Sequence, residues 1–213
     1  MGLEFIDLFD RWAQSYDTTV EGMDEEYREV FVNYRSILQE VANRVEGNIL
    51  EFGSGTGNLT QLLLIKAKHV VAIEPSEKMR EAARKKLPDA TILPGDFLQF
   101  SIPENEIDAI ISSYAFHHLT NKEKFKAIKK YSHLLKSGGK IVFADTMFKN
   151  EAEKNDMIEK AKDNQFFNLA EDLQTEYYPT IATMKSLFEA GGFDASFHSM
   201  NSFVWIVEAR KRS

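Results

Sequence analysis

Short apolar segments alternate with helical patterns through the middle of the chain, and this alternation constrains the fold more than any other feature. Five such segments are predicted as strands, at residues 48–52, 69–74, 90–93, 107–112 and 140–145. Strands separated by helices are typical of a parallel sheet that is covered by helices on both faces. Because crossovers between parallel strands are right-handed, the sheet is predicted to be doubly wound.

The C-terminal part of the sequence predicts a different connection. Residues 193–198 and 203–209 are both predicted as strands, with Asn201 and Ser202 as the turn between them. Two strands joined by so short a connection must be antiparallel. The predicted fold class is therefore α/β, a doubly wound seven-stranded sheet with an antiparallel C-terminal hairpin.

Two helices have clear signals at their ends. The first is predicted over residues 24–46, where apolar residues recur at helical spacing and Gly47 can end the helix in a left-handed conformation. Thr120 and Glu123 form a predicted capping box that opens another helix, which the glycines at 138–139 are predicted to end.

The chain has 213 residues, a length that favours one large domain or one domain with additions. Residues 150–175 are polar and helical, so they are predicted as an insertion before a last helix near 181–190. We expect one structural domain, with an N-terminal helical cap at 1–47 and a sheet domain at 48–213. The helical insertion occupies about 147–179 of that sheet domain.

The composition of the chain excludes some kinds of site and disfavours some kinds of partner. The chain has no cysteine, which excludes disulfides, thiolate metal sites and cysteine nucleophiles. Its 26 basic and 33 acidic residues give a net charge of −7, which disfavours nucleic acid as a partner. The sequence shows no signal peptide and no apolar run of bilayer length, so we expect a cytoplasmic protein without a membrane partner.

The segment ILEFGSGTGNLT at residues 49–60 predicts a ligand site. A strand ends beside Glu51, and the chain then turns through Gly53, Gly55 and Gly57 into a helix. Glycines allow a ligand to approach the backbone closely, and the helix N-terminus offers free N–H groups to an anion. The spacing is Gly-x-Gly-x-Gly, whereas the dinucleotide fingerprint is Gly-x-Gly-x-x-Gly.

An acidic residue, Glu74, closes the second predicted strand. A carboxylate at this position can accept hydrogen bonds from both hydroxyls of a ribose. Dinucleotide-binding proteins also use such an acid, so Glu74 predicts a nucleoside ligand without deciding which one.

Together these features resemble motif I of the class I S-adenosylmethionine-dependent methyltransferases, whose fold is Rossmann-like. The resemblance implies that Glu51 helps to orient the ammonium group of the cofactor, that Pro75 packs on its adenine and that Asp96 contacts the adenine amino group. It implies S-adenosylmethionine as the cofactor. The implied cofactor-binding residues are Gly53, Glu74, Asp96, Glu51, Gly55, Gly57, Pro75, Phe97, Ser113 and Tyr16.

The resemblance extends over roughly residues 5–209. The N-terminal segment around Trp12 and Tyr16 is similar to the cap of small-molecule methyltransferases, which closes over the cofactor. The alternative is that both residues pack in the core and do not contact the cofactor. With the segments at 113–119 and 143–146, the chain looks similar to the bacterial YrrT group of methyltransferases. That resemblance implies fold and cofactor and leaves the acceptor open.

The methyl group of S-adenosylmethionine is already activated, so the protein mainly has to align an acceptor and exclude water. Candidate catalytic residues are Tyr114, His117 and His118, which follow the fourth strand; adjacent histidines point apart, so we expect one at most to face the ligand. No metal site is expected, because the five histidines make no zinc motif.

We expect a methyltransferase that acts on a small molecule by in-line transfer from the sulfonium. The aromatic pairs at 166–167 and 177–178 could line an acceptor pocket or form the core of the insertion. A non-catalytic S-adenosylmethionine-binding protein, an NAD-type oxidoreductase and a methyltransferase of macromolecules are the alternatives. The acceptor atom and the oligomeric state stay open.

Overall fold

A seven-stranded sheet organises the computed structural model, which describes residues 9, 10 and 12–212. The strand order is β3-β2-β1-β4-β5-β7-β6; β1 to β5 are parallel, and β7 runs antiparallel to both of its neighbours. The predicted fold class is confirmed. The strands are β1 (Asn48–Phe52), β2 (His69–Glu74), β3 (Thr91–Pro94), β4 (Ile107–Ser113), β5 (Leu135–Thr146), β6 (Phe193–Ser199) and β7 (Val204–Lys211).

Helices connect the strands. Ser76 caps the helix after β2, since its hydroxyl accepts a hydrogen bond from the Met79 amide, and the predicted capping box of Thr120 and Glu123 is present. The helices are α1 (Tyr16–Thr18), α2 (Tyr34–Asn43), α3 (Asn58–Leu63), α4 (Glu77–Lys86), α5 (Asn121–Leu134), α6 (Glu151–Asp163), α7 (Phe167–Thr175) and α8 (Ile181–Ala190), with a π-helical turn at Thr19–Met23 and a 3-10 turn at Phe116–His118.

The core lies on both faces of the sheet. Along β1, Ile49 belongs to the apolar cluster on one face, whereas Leu50 and Phe52 belong to the cluster on the other. Side chains of a strand alternate between faces, so apolar residues at successive positions bury both faces. This pattern leaves the carboxyl ends of the parallel strands as the place for a site.

The predicted helix over 24–46 is wrong in its first part. Residues 24–33 form turns, and α2 begins only at Tyr34, after Asn33 with a left-handed φ of 63°. Tyr27 and Phe31 of this part still pack in the same core cluster, and each makes a further contact. The Tyr27 hydroxyl donates to Asp172, and the ring of Phe31 lies 5.3 Å from that of Tyr114.

The prediction that the glycines at 138–139 end the preceding helix is also wrong. Helix α5 ends at Leu134, and β5 begins at Leu135. Ile107 pairs with Leu135, but Ala109 pairs with Lys140, so β5 contains extra residues opposite β4. Gly138, with a φ of 72°, lies in this bulge, which explains why a glycine is needed there.

The segment predicted as an insertion, 147–179, contains α6 and α7. The proposed division into cap and sheet domain stays a prediction. Within the described residues, no helix combines the length and the apolar character needed to cross a membrane.

Candidate functional site

Two neighbouring pockets lie at the carboxyl ends of the strands. We call the first the loop pocket, since it includes part of the glycine-rich turn after β1. Its lining is Phe9, Tyr16, Gly53, Gly55, Glu74, Pro75, Met79, Phe97, Ser113, Tyr114, Ala115, His118 and Leu119. Seven of the ten predicted cofactor residues are in this lining: Gly53, Glu74, Gly55, Pro75, Phe97, Ser113 and Tyr16.

The glycines of the turn have different reasons to be glycine. Gly53 has a φ of 64°, and a Cβ there would lie 2.6 Å from the Cβ of Ala115. Gly55 has a φ of 55°, and within the described residues no heavy atom lies within 4 Å of a Cβ built on it. Gly53 is therefore required by protein packing, whereas the space beside Gly55 is available to a ligand.

Glu74 at the end of β2 supports the turn. Its carboxylate accepts hydrogen bonds from the amides of Gly55, at 2.9 Å, and Ser76, at 2.8 Å. Burial raises the pKa of Glu74 to about 7, although these two hydrogen bonds act in the opposite direction. The carboxylate thus fixes the turn and also lines the loop pocket.

The other three predicted cofactor residues, Glu51, Gly57 and Asp96, lie outside the described lining of the loop pocket. Glu51 is buried and accepts a hydrogen bond from the Thr60 hydroxyl at 2.6 Å; burial raises its pKa to about 8. Asp96 accepts hydrogen bonds from the amides of Leu98 and Gln99, at 2.7 and 2.8 Å. The Glu51 carboxylate thus connects β1 to α3, the Asp96 carboxylate fixes its own loop, and cofactor contact by either of them stays a prediction.

The N-terminal segment is attached to the turn through Asp17. Its carboxylate accepts hydrogen bonds from the Thr56 hydroxyl at 2.6 Å, from Asn58 at 3.0 Å and from the Lys86 ammonium at 2.8 Å. Burial acts to raise the pKa of Asp17, but these hydrogen bonds outweigh it and lower the pKa. Next to it, Tyr16 lines the loop pocket, so this attachment holds one wall of that pocket in place.

We call the second pocket the aromatic pocket. It shares Phe9, Tyr16, Tyr114 and His118 with the loop pocket, so the two are contiguous. Its lining is Phe9, Trp12, Tyr16, Tyr27, Val30, Phe31, Tyr114, His117, His118, Thr146, Leu169, Asp172, Leu173, Glu176, Tyr178 and Phe203.

Tyr114 stands at the boundary between the pockets in a strained conformation. Its φ is 53°, a left-handed value that is uncommon for a residue with a side chain. The backbone is held there because the Tyr114 amide donates to the Ala144 carbonyl at 2.8 Å. The ring packs 5.3 Å from Phe31 and 5.4 Å from Tyr34. Strain at such a position is typical of functional sites.

Both candidate histidines line the aromatic pocket, and the expectation that one at most faces the ligand stays a prediction. The 3-10 turn brings the two ring centroids within 4.0 Å of each other. His117 Nε2 lies 3.2 Å from one oxygen of Glu176, and His118 Nδ1 lies 3.5 Å from the other. On its opposite side, His117 Nδ1 contacts Asp145 at 2.5 Å.

The pKa values of the two histidines are shifted in opposite directions. Burial acts to lower the pKa of His117, but the charges of Asp145 and Glu176 raise it to about 10. The pKa of His118 is lowered to about 3 by burial and by His117. Burial acts to raise the pKa of Glu176, but His117 outweighs it and lowers the pKa to about 2. These shifts favour the protonated form of His117 and the neutral form of His118.

Three carboxylates of this region were missed by sequence reasoning: Asp145, Asp172 and Glu176. Asp172 and Glu176 come from the helical insertion and carry no local motif, so only the fold reveals them. Asp145 lies in the 143–146 segment that belonged to the resemblance, which is the one signal that pointed to it. Of the two aromatic pairs in the insertion, Tyr178 is the member found in the described pocket lining.

Comparison with known proteins identifies the relatives of the chain. Residues 49–139 match a family model described as a methyltransferase domain. The chain is 57% identical to an uncharacterised methyltransferase of Bacillus pumilus and 54% identical to one of Bacillus cytotoxicus, in each case over 213 residues and all of both chains.

Solved structures share the fold at low identity. A DhpI complex with SAM and HEP has a TM-score of 0.71 at 18% identity, over 98% of each chain. Magnesium protoporphyrin IX methyltransferase from Synechocystis, with bound SAH, has a TM-score of 0.71 at 16% identity, over 99% of each chain. A possible histamine N-methyltransferase from Thermotoga maritima has a TM-score of 0.69 at 21% identity, over 97% of this chain and 99% of that one.

Proposed function

Since the chain belongs to the S-adenosylmethionine-dependent methyltransferases, we propose that it methylates a small molecule bound in the aromatic pocket, by in-line transfer from the sulfonium. S-adenosylmethionine is the cofactor, as the family membership and the cofactor complexes among the structural neighbours indicate. The comparisons favour this activity over the oxidoreductase alternative.

The observation that supports a small-molecule acceptor is the continuity of the two pockets. Phe9, Tyr16, Tyr114 and His118 line both, so an acceptor in the aromatic pocket would adjoin a cofactor in the loop pocket. The aromatic pocket is mostly apolar and has a few polar groups, which is typical of small-molecule sites.

The residues of the loop pocket fit the cofactor. The open space beside Gly55 allows the backbone to be approached closely, and Glu74 presents a carboxylate suited to ribose hydroxyls. When bound, S-adenosylmethionine supplies a methyl group that is already activated on sulfur.

The chain's own contribution to the reaction is to orient the acceptor and exclude water. The aromatic lining and the attached N-terminal segment separate the acceptor from solvent, and holding two reactants in line removes much of the entropic barrier. Where the acceptor carries a proton, Asp172 is a pocket carboxylate that can accept a hydrogen bond from it.

The proposal is tested in two steps. First, S-adenosylhomocysteine should raise the melting temperature and NADH should not; ligand at 100 times its Kd adds ~2.7 kcal/mol of stability. Second, labelled S-adenosylmethionine is incubated with the protein and a cell extract that has been separated into small molecules and macromolecules. Label in a small molecule other than S-adenosylmethionine itself supports the proposal, whereas transferred label found only in protein or nucleic acid contradicts it.

A further inference from the structure

Two imidazoles and one carboxylate form a buried cluster at the wall of the aromatic pocket. His117, His118 and Glu176, which we call the His–His–Glu cluster, are all buried, and one ligand atom of each lies within 4.8 Å of the others. The two histidines follow β4, whereas Glu176 follows α7. Folding therefore brings together three metal-ligand groups from separate parts of the chain.

Two separations within the cluster, each to a different oxygen of Glu176, are close to those between the ligands of a metal ion. His117 Nε2 and His118 Nδ1 lie 3.2 and 3.5 Å from the two oxygens of Glu176. Ligand atoms of a tetrahedral zinc ion, with bonds of about 2.0–2.1 Å, are about 3.3 Å apart. Two histidines and one glutamate are a ligand set of catalytic zinc sites, where a fourth position stays open.

Groups outside the cluster fix the orientation of its ligands. His117 Nδ1 contacts Asp145 at 2.5 Å, which leaves Nε2 directed at Glu176. Asp145 is itself fixed, because it accepts hydrogen bonds from the amides of His117 and Thr146, both at 2.8 Å. A metal-binding histidine usually has such a carboxylate on its other nitrogen.

Tyr178 supports the opposite side of the cluster. Its ring stacks on that of His117 at 4.6 Å between centroids, and its hydroxyl is hydrogen-bonded to Glu176. The buried cation nearby, Lys124, donates to the carbonyls of Leu119 and Tyr177 and not to either carboxylate. Asp145 and Glu176 are two carboxylates beside His117, and a divalent cation would take the place of the proton on His117 Nε2, which binding of the metal releases.

We propose that His117, His118 and Glu176 bind a divalent transition-metal ion, zinc being the best fit, with its remaining coordination position open to the aromatic pocket. All three residues line that pocket. Such an ion would hold a methyl acceptor by an oxygen, nitrogen or sulfur atom and lower the pKa of that atom. This role rests on the proposed function, whereas binding of the ion does not.

The test uses the full chain after chelation and dialysis, with Co²⁺ as the probe. We expect one equivalent of Co²⁺ to bind and give visible absorption bands of a four- or five-coordinate site, which one equivalent of Zn²⁺ abolishes. Wild-type protein without saturable binding near one equivalent overturns the proposal, whatever the variants do.

Variants then locate the ion. Glu176→Gln and His117→Gln should each lower the Co²⁺ affinity at least about tenfold. Asp172→Asn is the matched control, because it makes the same chemical change in the same pocket outside the cluster and should bind Co²⁺ as the wild type does. Equal Co²⁺ affinity of Glu176→Gln and Asp172→Asn would mean that the ion binds elsewhere and would overturn the proposal.

Failure of this proposal and failure of the proposed function can be told apart. If the labelled methyl group is transferred only to macromolecules, the proposed function is contradicted, whereas the Co²⁺ titration is unaffected.

Discussion

Gly53 and Gly55, two residues apart in the same turn, allow packing and ligand contact to be separated. Gly53→Ala places a Cβ 2.6 Å from the Cβ of Ala115 and also strains a left-handed backbone, so it should destabilise the protein by more than ~1–2 kcal/mol, the cost of the conformation alone. Gly55→Ala meets no described heavy atom within 4 Å and should carry only that cost.

Gly55→Ala is expected to affect cofactor binding more than it affects stability. Gly55→Ala fills space that lines the loop pocket, so the fold should survive while the affinity for S-adenosylhomocysteine falls at least about tenfold, or ~1.4 kcal/mol. Urea unfolding and calorimetric titration measure the two effects. An unchanged affinity in Gly55→Ala would show that the ligand does not approach this backbone.

The resemblance implies that both Glu74 and Asp96 bind the cofactor, and the structure places them differently. Glu74 lines the loop pocket and holds the Gly55 amide; Asp96 binds its own loop and lies outside the described lining. Losing a buried hydrogen-bonded group costs ~1–3 kcal/mol, so Glu74→Ala should weaken S-adenosylhomocysteine binding about tenfold to hundredfold. Asp96→Ala should weaken it less, and the opposite order in a calorimetric titration would contradict this assignment.

At the scale of single residues, some residues of the site could be predicted from the sequence and others could not. Gly53, Gly55 and Glu74 could be placed at one pocket because strand ends and a glycine spacing mark them locally. Glu176 and Asp172 could not, since nothing near them in the sequence distinguishes them from other acidic residues of polar helices. Their position depends on how the helical insertion packs against β4 and β5, which is a tertiary property.

At the scale of elements, the attachment of the N-terminal segment through Asp17 can be tested directly. Asp17→Ala removes hydrogen bonds to Thr56, Asn58 and Lys86 and should loosen one wall of the loop pocket. The expected result is a dissociation rate of S-adenosylhomocysteine that rises about tenfold, measured by stopped-flow displacement, since ~1.4 kcal/mol corresponds to a factor of ten.

The control for Asp17 is a neighbouring exposed ion pair. Glu21→Gln removes the partner of Arg35, and both side chains are largely exposed. Such pairs contribute ~0–1 kcal/mol, so the dissociation rate should stay close to that of the wild type. Equal rates in Asp17→Ala and wild type would mean that the segment does not retain the cofactor.

Helix ends with side-chain signals could be predicted, and those set by tertiary contacts could not. The capping box at Thr120 is present as expected, because its hydrogen bonds are local. The start of α2 at Tyr34 was missed, because the apolar spacing over 24–46 is helical throughout. In this first part Tyr27 contacts Asp172 and Phe31 contacts Tyr114, which are tertiary contacts that the local spacing does not show.

For the whole molecule, the order of strands follows from local patterns and general rules. Alternating strands and helices, right-handed crossovers and one short hairpin predict a doubly wound sheet with an antiparallel end, and that is the sheet observed. The same rules place the loop pocket at the carboxyl edge. They do not predict the aromatic pocket, because its lining comes mainly from the N-terminal segment and the helical insertion, and only Thr146 of it lies in a strand.

A buried acid should make the stability of the cofactor-free protein depend on pH, and Glu51 is such an acid, with no basic partner recorded among the described residues. Burial raises its pKa from the ordinary value of 4.5 to about 8 in the folded chain. Between these values the folded state holds a proton that the unfolded state has lost, so the unfolding free energy falls as pH rises. The stabilisation is fully present below about 4.5 and is lost through about 8, at ~1.4 kcal/mol for each unit.

Glu51→Gln removes this titration while it keeps the shape of the side chain and its contact with Thr60. The variant should therefore lose less stability than the wild type between pH 5 and pH 8, by a few kcal/mol, in urea unfolding of the cofactor-free protein. Parallel losses in the two proteins would show that Glu51 is ionised throughout. A cationic cofactor should favour the ionised carboxylate, so S-adenosylmethionine should reduce the difference between the two proteins. That reduction would show that ionisation of Glu51, the buried acid of β1, is coupled to binding of the positively charged cofactor.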